Sequence, residues 1–331
     1  MKLPADPAQF CIYRRSGYEN VLLRFSADGT TSNPPGHAEA RWELSNSGEV
    51  LQFSTEDGVC TARLQWDGRR YNGVLLGWID ASLEIYPAKG FAPTAWSGTD
   101  DEALRELTVV TVADKFTPGF ARLWDSCRHW NITPLVLGFG SEFGGMTSKV
   151  HLLYRALVAL AGSLKTVMFL DGFDTLVTAP ASAILRTFRD FGRPLIFSAE
   201  RNCFPEPDRS ERYPPVPTPY RFLNSGTFIG NARYLLWLLA RWDAAAWPAD
   251  ASDQLLLTDA FLANTSALAL DYECRLFQCM HSAEGDVEVD ENGFRNLVTG
   301  TRPLIVHANG SSDMSKAVEW FDRVTKTAVC C

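Results

Sequence analysis

Thr166-Val167-Met168-Phe169-Leu170-Asp171-Gly172-Phe173-Asp174 is the stretch on which the fold turns. Thr166 to Leu170 reads as a strand covered on both faces, the signature of a strand inside an α/β sheet. Two carboxylates, Asp171 and Asp174, close it, and Gly172 between them lets the backbone turn. Upstream, Leu107-Thr108-Val109-Val110-Thr111-Val112 and Thr133 to Leu137 have the same buried character. Downstream, Pro194 to Ser198 supplies a fourth such run. Phe120–Trp130, Val150–Ala161 and Ala181–Asp190 carry helical apolar spacing between them. Strands alternating with helices of this length imply right-handed crossovers and a mainly parallel sheet.

The chain changes character before residue 90. From Phe10 to about Pro87 it reads as short strands broken by turn dipeptides: Asp28-Gly29, Ser47-Gly48, Asp57-Gly58 and Asp67-Gly68. Glycine supplies the positive φ that such hairpin turns need. Residues 1–90 are therefore expected to form a small antiparallel all-β sandwich or barrel, with Trp42, Trp66, Trp78 and Tyr86 as its core and rim aromatics. Residues 91–106 mix Pro, Gly, Ser and charge and read as a linker or the start of a connecting helix, leaving residues 107–331 as the α/β domain.

Composition narrows the function classes. The chain has 331 residues, 46% hydrophobic and 21% charged, which is the globular range. Lys+Arg 31 against Asp+Glu 39 leaves a net charge of −8, a poor match for nucleic acid or anionic lipid. No run approaches a membrane span. The opening MKLPADPAQF lacks the apolar core of a secretory signal, so the expected location is cytoplasmic. The eight cysteines show no C-x-x-C spacing, which argues against zinc and for reduced thiols.

Chemistry concentrates at strand ends. In open α/β sheets ligands bind beyond the carboxyl ends of the strands. Asp171 and Asp174 offer there the oxygen ligands that a hard divalent cation takes, with positions left open for substrate phosphates. The bland alternative is a helix cap and a solvated carboxylate. Leu223-Asn224-Ser225-Gly226 brings polar groups into a buried run, and Asp253-Gln254 opens an apolar helix. Asp253 is equally explained as capping. Leu304-Ile305-Val306 runs into His307-Ala308-Asn309-Gly310, which puts a histidine after a buried strand.

Taken in order, these segments resemble one family. Leu107–Ala113, Leu135–Gly140, Val167–Asp174, Ile196–Glu206, Arg221–Gly230, Ser252–Thr258, Leu270–Gln278 and His307–Gly310 resemble the glycosyltransferase domain of the procollagen lysyl hydroxylases, which also glucosylate galactosyl-hydroxylysine. The likeness covers about three-fifths of the chain and omits its β-rich start. Nothing resembles the family's iron- and 2-oxoglutarate-dependent hydroxylase domain. The resemblance implies a GT-A fold that takes a UDP-sugar through Mn²⁺, with Mg²⁺ as the alternative ion. It implies Asp171, Asp174 and His307 as metal ligands, and Asn224 and Asp253 on the sugar side. Val112, Asp114, Phe173, Asn309 and Gly310 are implied as donor-binding residues, with Val112 at the uridine and Phe173 against the base.

Three departures stand out. The family's tryptophan after its SAE segment is Phe204 here, expected to lie over the sugar pocket. Its lysine after HGNG is Asp313, which would repel a diphosphate unless Lys316 substitutes. Its glycine-rich stretch is shortened to Gly144-Gly145-Met146-Thr147-Ser148-Lys149. The expected activity is transfer of a hexose from a UDP-sugar to a hydroxyl on a peptide, glycan or small molecule. Without an export signal, secreted collagen is not the expected acceptor. Retention needs no dedicated base, whereas inversion would call on Asp253 or Glu206. The alternatives are a decayed carbohydrate- or partner-binding module and a nucleotidyltransferase, though the latter's basic, glycine-rich triphosphate loop is absent.

Overall fold

Alternation and turn chemistry account for the first third of the chain. The computed structural model describes residues 10–15, 21–26, 28–31, 40–45, 47–66, 71–75, 82–87, 98–290 and 293–328. Seven strands form one antiparallel sheet: β1 (Phe10–Arg15), β2 (Val21–Arg24), β3 (Arg41–Leu44), β4 (Val50–Ser54), β5 (Cys60–Trp66), β6 (Tyr71–Leu75) and β7 (Ser82–Pro87). Their order is β2-β1-β7-β6-β5-β4-β3. Two isolated bridges, Phe25 to Thr31 and Thr30 to Arg41, tie the two edge strands together through a short segment. That is the barrel solution to unpaired edges, reached by two bridges rather than a full strand. Leu23, Phe25, Leu51, Phe53, Ala62, Leu64 and Tyr71 fill the interior. Trp42 stands edge-on to Phe25 at 5.1 Å and Trp66 packs on Tyr71 at 4.9 Å, so both are packing aromatics. Trp78 and the Tyr86 side chain lie outside the described residues.

The chain divides into two compact units. One holds residues 1–90, 154–163 and 233–245, and the other holds 91–153, 164–232 and 246–331. The second holds helix α1 (Asp100–Glu106), which falls within the segment read as a linker or the start of a connecting helix. Thr99 accepts from the Glu102 amide while Glu102 accepts from the Thr99 amide, and this capping box starts a helix that buries Ala103.

The remaining elements are β8 (Leu107–Val112), α2 (Pro118–His129), β9 (Leu135–Leu137), α3 (Ser148–Ala159), β10 (Thr166–Asp171), β11 (Thr175–Val177), α4 (Ala181–Asp190), β12 (Leu195–Glu200), β13 (Phe222–Asn231), α5 (Ala232–Arg241), α6 (Asp253–Leu262), β14 (Leu268–Asp271), β15 (Phe277–Cys279), β16 (Val287–Asp290), β17 (Gly293–Asn296), β18 (Ile305–His307) and α7 (Ser315–Ala328). The central sheet runs β14-β12-β13-β10-β8-β9, and a smaller one runs β11-β18-β15. Every neighbouring pair in the central sheet is parallel except those made by β13, which runs antiparallel to both β10 and β12. This is an α/β arrangement with a mainly parallel sheet. Met168 and Leu170 of β10 pack with Leu123, Ile184 and Phe188 of the helices, while Phe169 stacks on Phe228 at 5.0 Å. Among the described residues no helix is long and apolar enough to cross a membrane.

Candidate active site

Two irregularities in pairing bring the polar groups together. Between β12 and β13 the register slips: Phe197 pairs with Phe228, but Ser198 pairs with Asn224. Ser225, Gly226 and Thr227 are left over on β13, a bulge of the kind that re-aims a strand beside a site. On the other side of β13, β10 pairs as far as Leu170 with Thr227, so the bulge stands against Asp171. The turn after β10 is closed by the Thr175 hydroxyl, which donates to the Asp171 carbonyl at 2.6 Å. β11 then pairs Thr175 with His307, and the Ala308 amide donates to the Asp174 carbonyl at 2.8 Å.

Asp171, Asp174 and His307 therefore converge, each offering one ligand atom within 4.8 Å of the others. His307 Nε2 lies 3.4 Å from Asp174 Oδ1 and 3.7 Å from Asp171 Oδ2. Gly226 is the floor of this cradle. A β-carbon there would stand 2.5 Å from Asp171 Oδ2 and overlap the His307 ring. Two carboxylate oxygens and an imidazole nitrogen, with space kept open by a glycine, fit a hard or borderline divalent ion such as Mn²⁺.

Electrostatics follow from burial. Burial works against a charged His307, but its hydrogen bond to Asp174 and the nearby carboxylates outweigh this and raise it above the usual range. Asp174 is shifted the other way: burial opposes its charge, and the His307 contact and the Lys149 charge prevail and lower it.

Lys149 is the residue the sequence reading missed. Its ammonium is buried and meets Asp171 Oδ1 at 3.1 Å and Asp253 Oδ2 at 3.0 Å. Burial would strip its proton, but the two aspartates hold it charged. Glu200 was also missed as a site residue. Its carboxylate accepts from Asn224 Nδ2 at 3.0 Å, Gln254 Nε2 at 2.9 Å and Asn309 Nδ2 at 3.0 Å. Burial raises Glu200, against the pull of the Asn224 and Gln254 hydrogen bonds.

These groups line a cleft of about 540 Å³, together with Phe204, Asp250, His281 and Gly310. Phe204 is 64% exposed at its rim. Of the residues expected on the sugar side, Asp253 is buried against Lys149 rather than free. Asn224 is likewise clamped, by Glu200 and by the Gly226 amide, which donates to its Oδ1 at 2.9 Å. Asn309 is held between Glu200 and the His281 amide. Val112, Asp114 and Phe173 do not line this cleft. Val112 sits behind it, its carbonyl against Gly172, and Phe173 is 39% exposed beyond the turn. Glu206, weighed as a base for inversion, is excluded from the cleft and pairs with Arg209. Asp313, just ahead of α7, accepts from the Ser315 amide and hydroxyl at 2.8 Å each, and it lines a second pocket that also takes in Asp174 and Arg122.

The fold and the converging acid–histidine cluster make an α/β domain with a candidate metal site at its strand ends. The model of the PLOD GT domain family matches residues 103–318, and the chain belongs to that family. It is 33% identical over 247 residues to human multifunctional procollagen lysine hydroxylase and glycosyltransferase LH3, covering 70% of this chain and 33% of that protein. It is 34% identical over 245 residues to mouse procollagen-lysine,2-oxoglutarate 5-dioxygenase 1, covering 67% of this chain and 33% of that one. The chain thus spans about a third of the length of the curated relatives it matches. A solved glycosyltransferase involved in the glycosylation of the major capsid of PBCV-1 is similar at TM-score 0.35 and 11% identity, covering 65% of this chain and 98% of its own. That likeness is too slight to bear on the fold.

Proposed function

We propose that the chain transfers a hexose from a UDP-sugar to a hydroxyl acceptor with the help of a divalent cation. The observation that carries the reading is the convergence of Asp171, Asp174 and His307 at the edge of a 540 Å³ cleft in a chain of this family. A cation bound there supplies positive charge to a diphosphate, which stabilises the charge that gathers on the leaving nucleotide. Asp171, Asp174 and His307 would hold it, Mn²⁺ being the first choice and Mg²⁺ the second.

The chain's own groups do the rest. Glu200, through Asn224, Gln254 and Asn309, fixes the wall of the cleft in one arrangement, so little reorganisation is needed on binding. Phe204 offers an aromatic face at the rim, suited to the apolar face of a sugar ring. Asp253 is buried and ion-paired with Lys149, so it is not free to meet an acceptor. A proton leaving the acceptor hydroxyl is therefore better taken by the departing phosphate, which favours retention, or by Asp250, the exposed carboxylate of the cleft. The acceptor is a hydroxyl on a peptide, glycan or small molecule.

A screen of UDP-, GDP- and TDP-sugars with Mn²⁺, read as released nucleotide, tests the reading. UDP-sugar turnover that vanishes in Asp174→Ala is the expected result. No nucleotide released from any donor, in a protein that binds no UDP by calorimetry, refutes it.

A further inference from the structure

Two loops clamped to each other deliver opposite charges to one point. Gly145, at φ +109°, backs onto the Ala249 carbonyl so closely that a side chain could not fit, and Thr147 Oγ1 donates to the Pro248 carbonyl at 2.8 Å. Lys149, in the first turn of α3, and Asp253, opening α6, follow directly from these segments. The lysine ammonium is within 3.1 Å of Asp171 Oδ1 and 3.3 Å of Oδ2, the oxygen turned towards His307. Neither oxygen of this candidate metal ligand is clear of the ammonium.

A divalent ion and an ammonium compete for such a carboxylate. Each neutralises the same charge, and the two cations repel in a buried site where screening is weak. We propose that Lys149 is the internal countercation of this site: it balances Asp171 when no metal is bound, and metal entry transfers its ammonium wholly to Asp253. This rests on the metal-dependent reading above. Metal occupancy and the setting of Asp253 are then coupled through one side chain, which makes Lys149 a positioning residue.

The test uses the full chain, with Mn²⁺ titrated by calorimetry and no nucleotide present. Lys149→Met is expected to bind Mn²⁺ at least about ten-fold more tightly than wild type, because the competing cation is gone. Lys149→Arg keeps a cation at the site and should bind Mn²⁺ no more tightly than wild type. The metal-free melting temperature of Lys149→Met should fall, and Mn²⁺ should restore it by more than it raises the wild type. A role confined to packing predicts the opposite sign, a loosened site that binds the ion less well. Equal or weaker Mn²⁺ binding in folded Lys149→Met overturns the proposal. So does a variant that fails to fold both with and without excess Mn²⁺, since a replaced countercharge must recover the fold. Wild-type protein that binds no Mn²⁺ takes down both readings, whereas equal binding in wild type and variant removes only the role of Lys149.

Discussion

Gly226→Ala is the sharpest perturbation of the cradle, because it adds one methyl group and no charge. The new β-carbon would start 2.5 Å from Asp171 Oδ2, and ordinary contact begins at 3.4 Å, so the carboxylate must retreat by about 0.9 Å. The His307 ring is overlapped at the same time and must also give way. Metal–ligand distances tolerate about 0.2 Å, so two of three ligands leave the range in which they can serve. Replacement of groups that merely orient ligands costs roughly 10–100-fold in metal affinity, so displacing the ligands themselves should cost at least about 100-fold. The fold is affected less. Gly226 is not a positive-φ glycine, and alanine at a compatible backbone gains roughly 0.4–1 kcal/mol through the unfolded state. Against this stands an overpacking penalty of about 1–3 kcal/mol. Calorimetry with Mn²⁺ and a melting curve separate the two effects. Wild-type Mn²⁺ affinity in the variant would refute the assignment of this cradle to a metal, whatever the melting temperature does.

Two further outcomes follow from other parts of the domain. Phe204→Ala should cut sugar transfer by about ten-fold through loss of an aromatic contact, and leave UDP affinity and melting temperature nearly unchanged, since the ring is 64% exposed; a large drop in melting temperature would reassign it to packing. Asp271 is buried beside the amides of Arg275, Leu276 and Phe277, and burial, opposed by those amides, pushes it up to about 6. Its folded pKa thus lies above the unfolded one, so its contribution to stability is complete below about pH 4 and is lost as pH rises through about 6. A shift of about two units is worth about 3 kcal/mol. Carboxyl NMR should show this titration, and a midpoint near 4 would refute the burial argument.

The legible parts of the molecule were those encoded in contiguous residues. Helix α4 falls on Ala181–Asp190, as its apolar spacing dictates, and the acidic pair stands where a buried strand stops. The direction of β13 was hidden, because a strand apolar on both faces carries no mark of whether its neighbours run with or against it. The bulge that presents Gly226 was hidden too: it is a register relation between two strands. Lys149 and Glu200 owe their meaning to partners 22 to 109 residues away, and both sat in plain view within quoted segments. One local signal went unread: Thr99-x-x-Glu102 is a capping box at the start of α1.

The charge inventory of the cleft gives the strongest reason to expect a metal there. Asp171, Asp174, Asp250, Asp253 and Glu200 face it, and its described lining holds a single lysine and no arginine. That lysine is already shared between Asp171 and Asp253. A diphosphate brought to such a surface meets repulsion that a net charge of −8 does nothing to relieve at long range. Families that bind phosphate without a metal surround it with basic side chains or with backbone amides at a helix start; here the start of α6 lines the cleft, but Asp253 in its first turn places a carboxylate there. A divalent ion on Asp171, Asp174 and His307 would change the balance locally. UDP affinity should therefore depend on Mn²⁺ far more steeply than uridine affinity does, since the nucleoside carries no charge to be neutralised. Equal dependence of the two would mean that the ion orders the protein instead of meeting the phosphates.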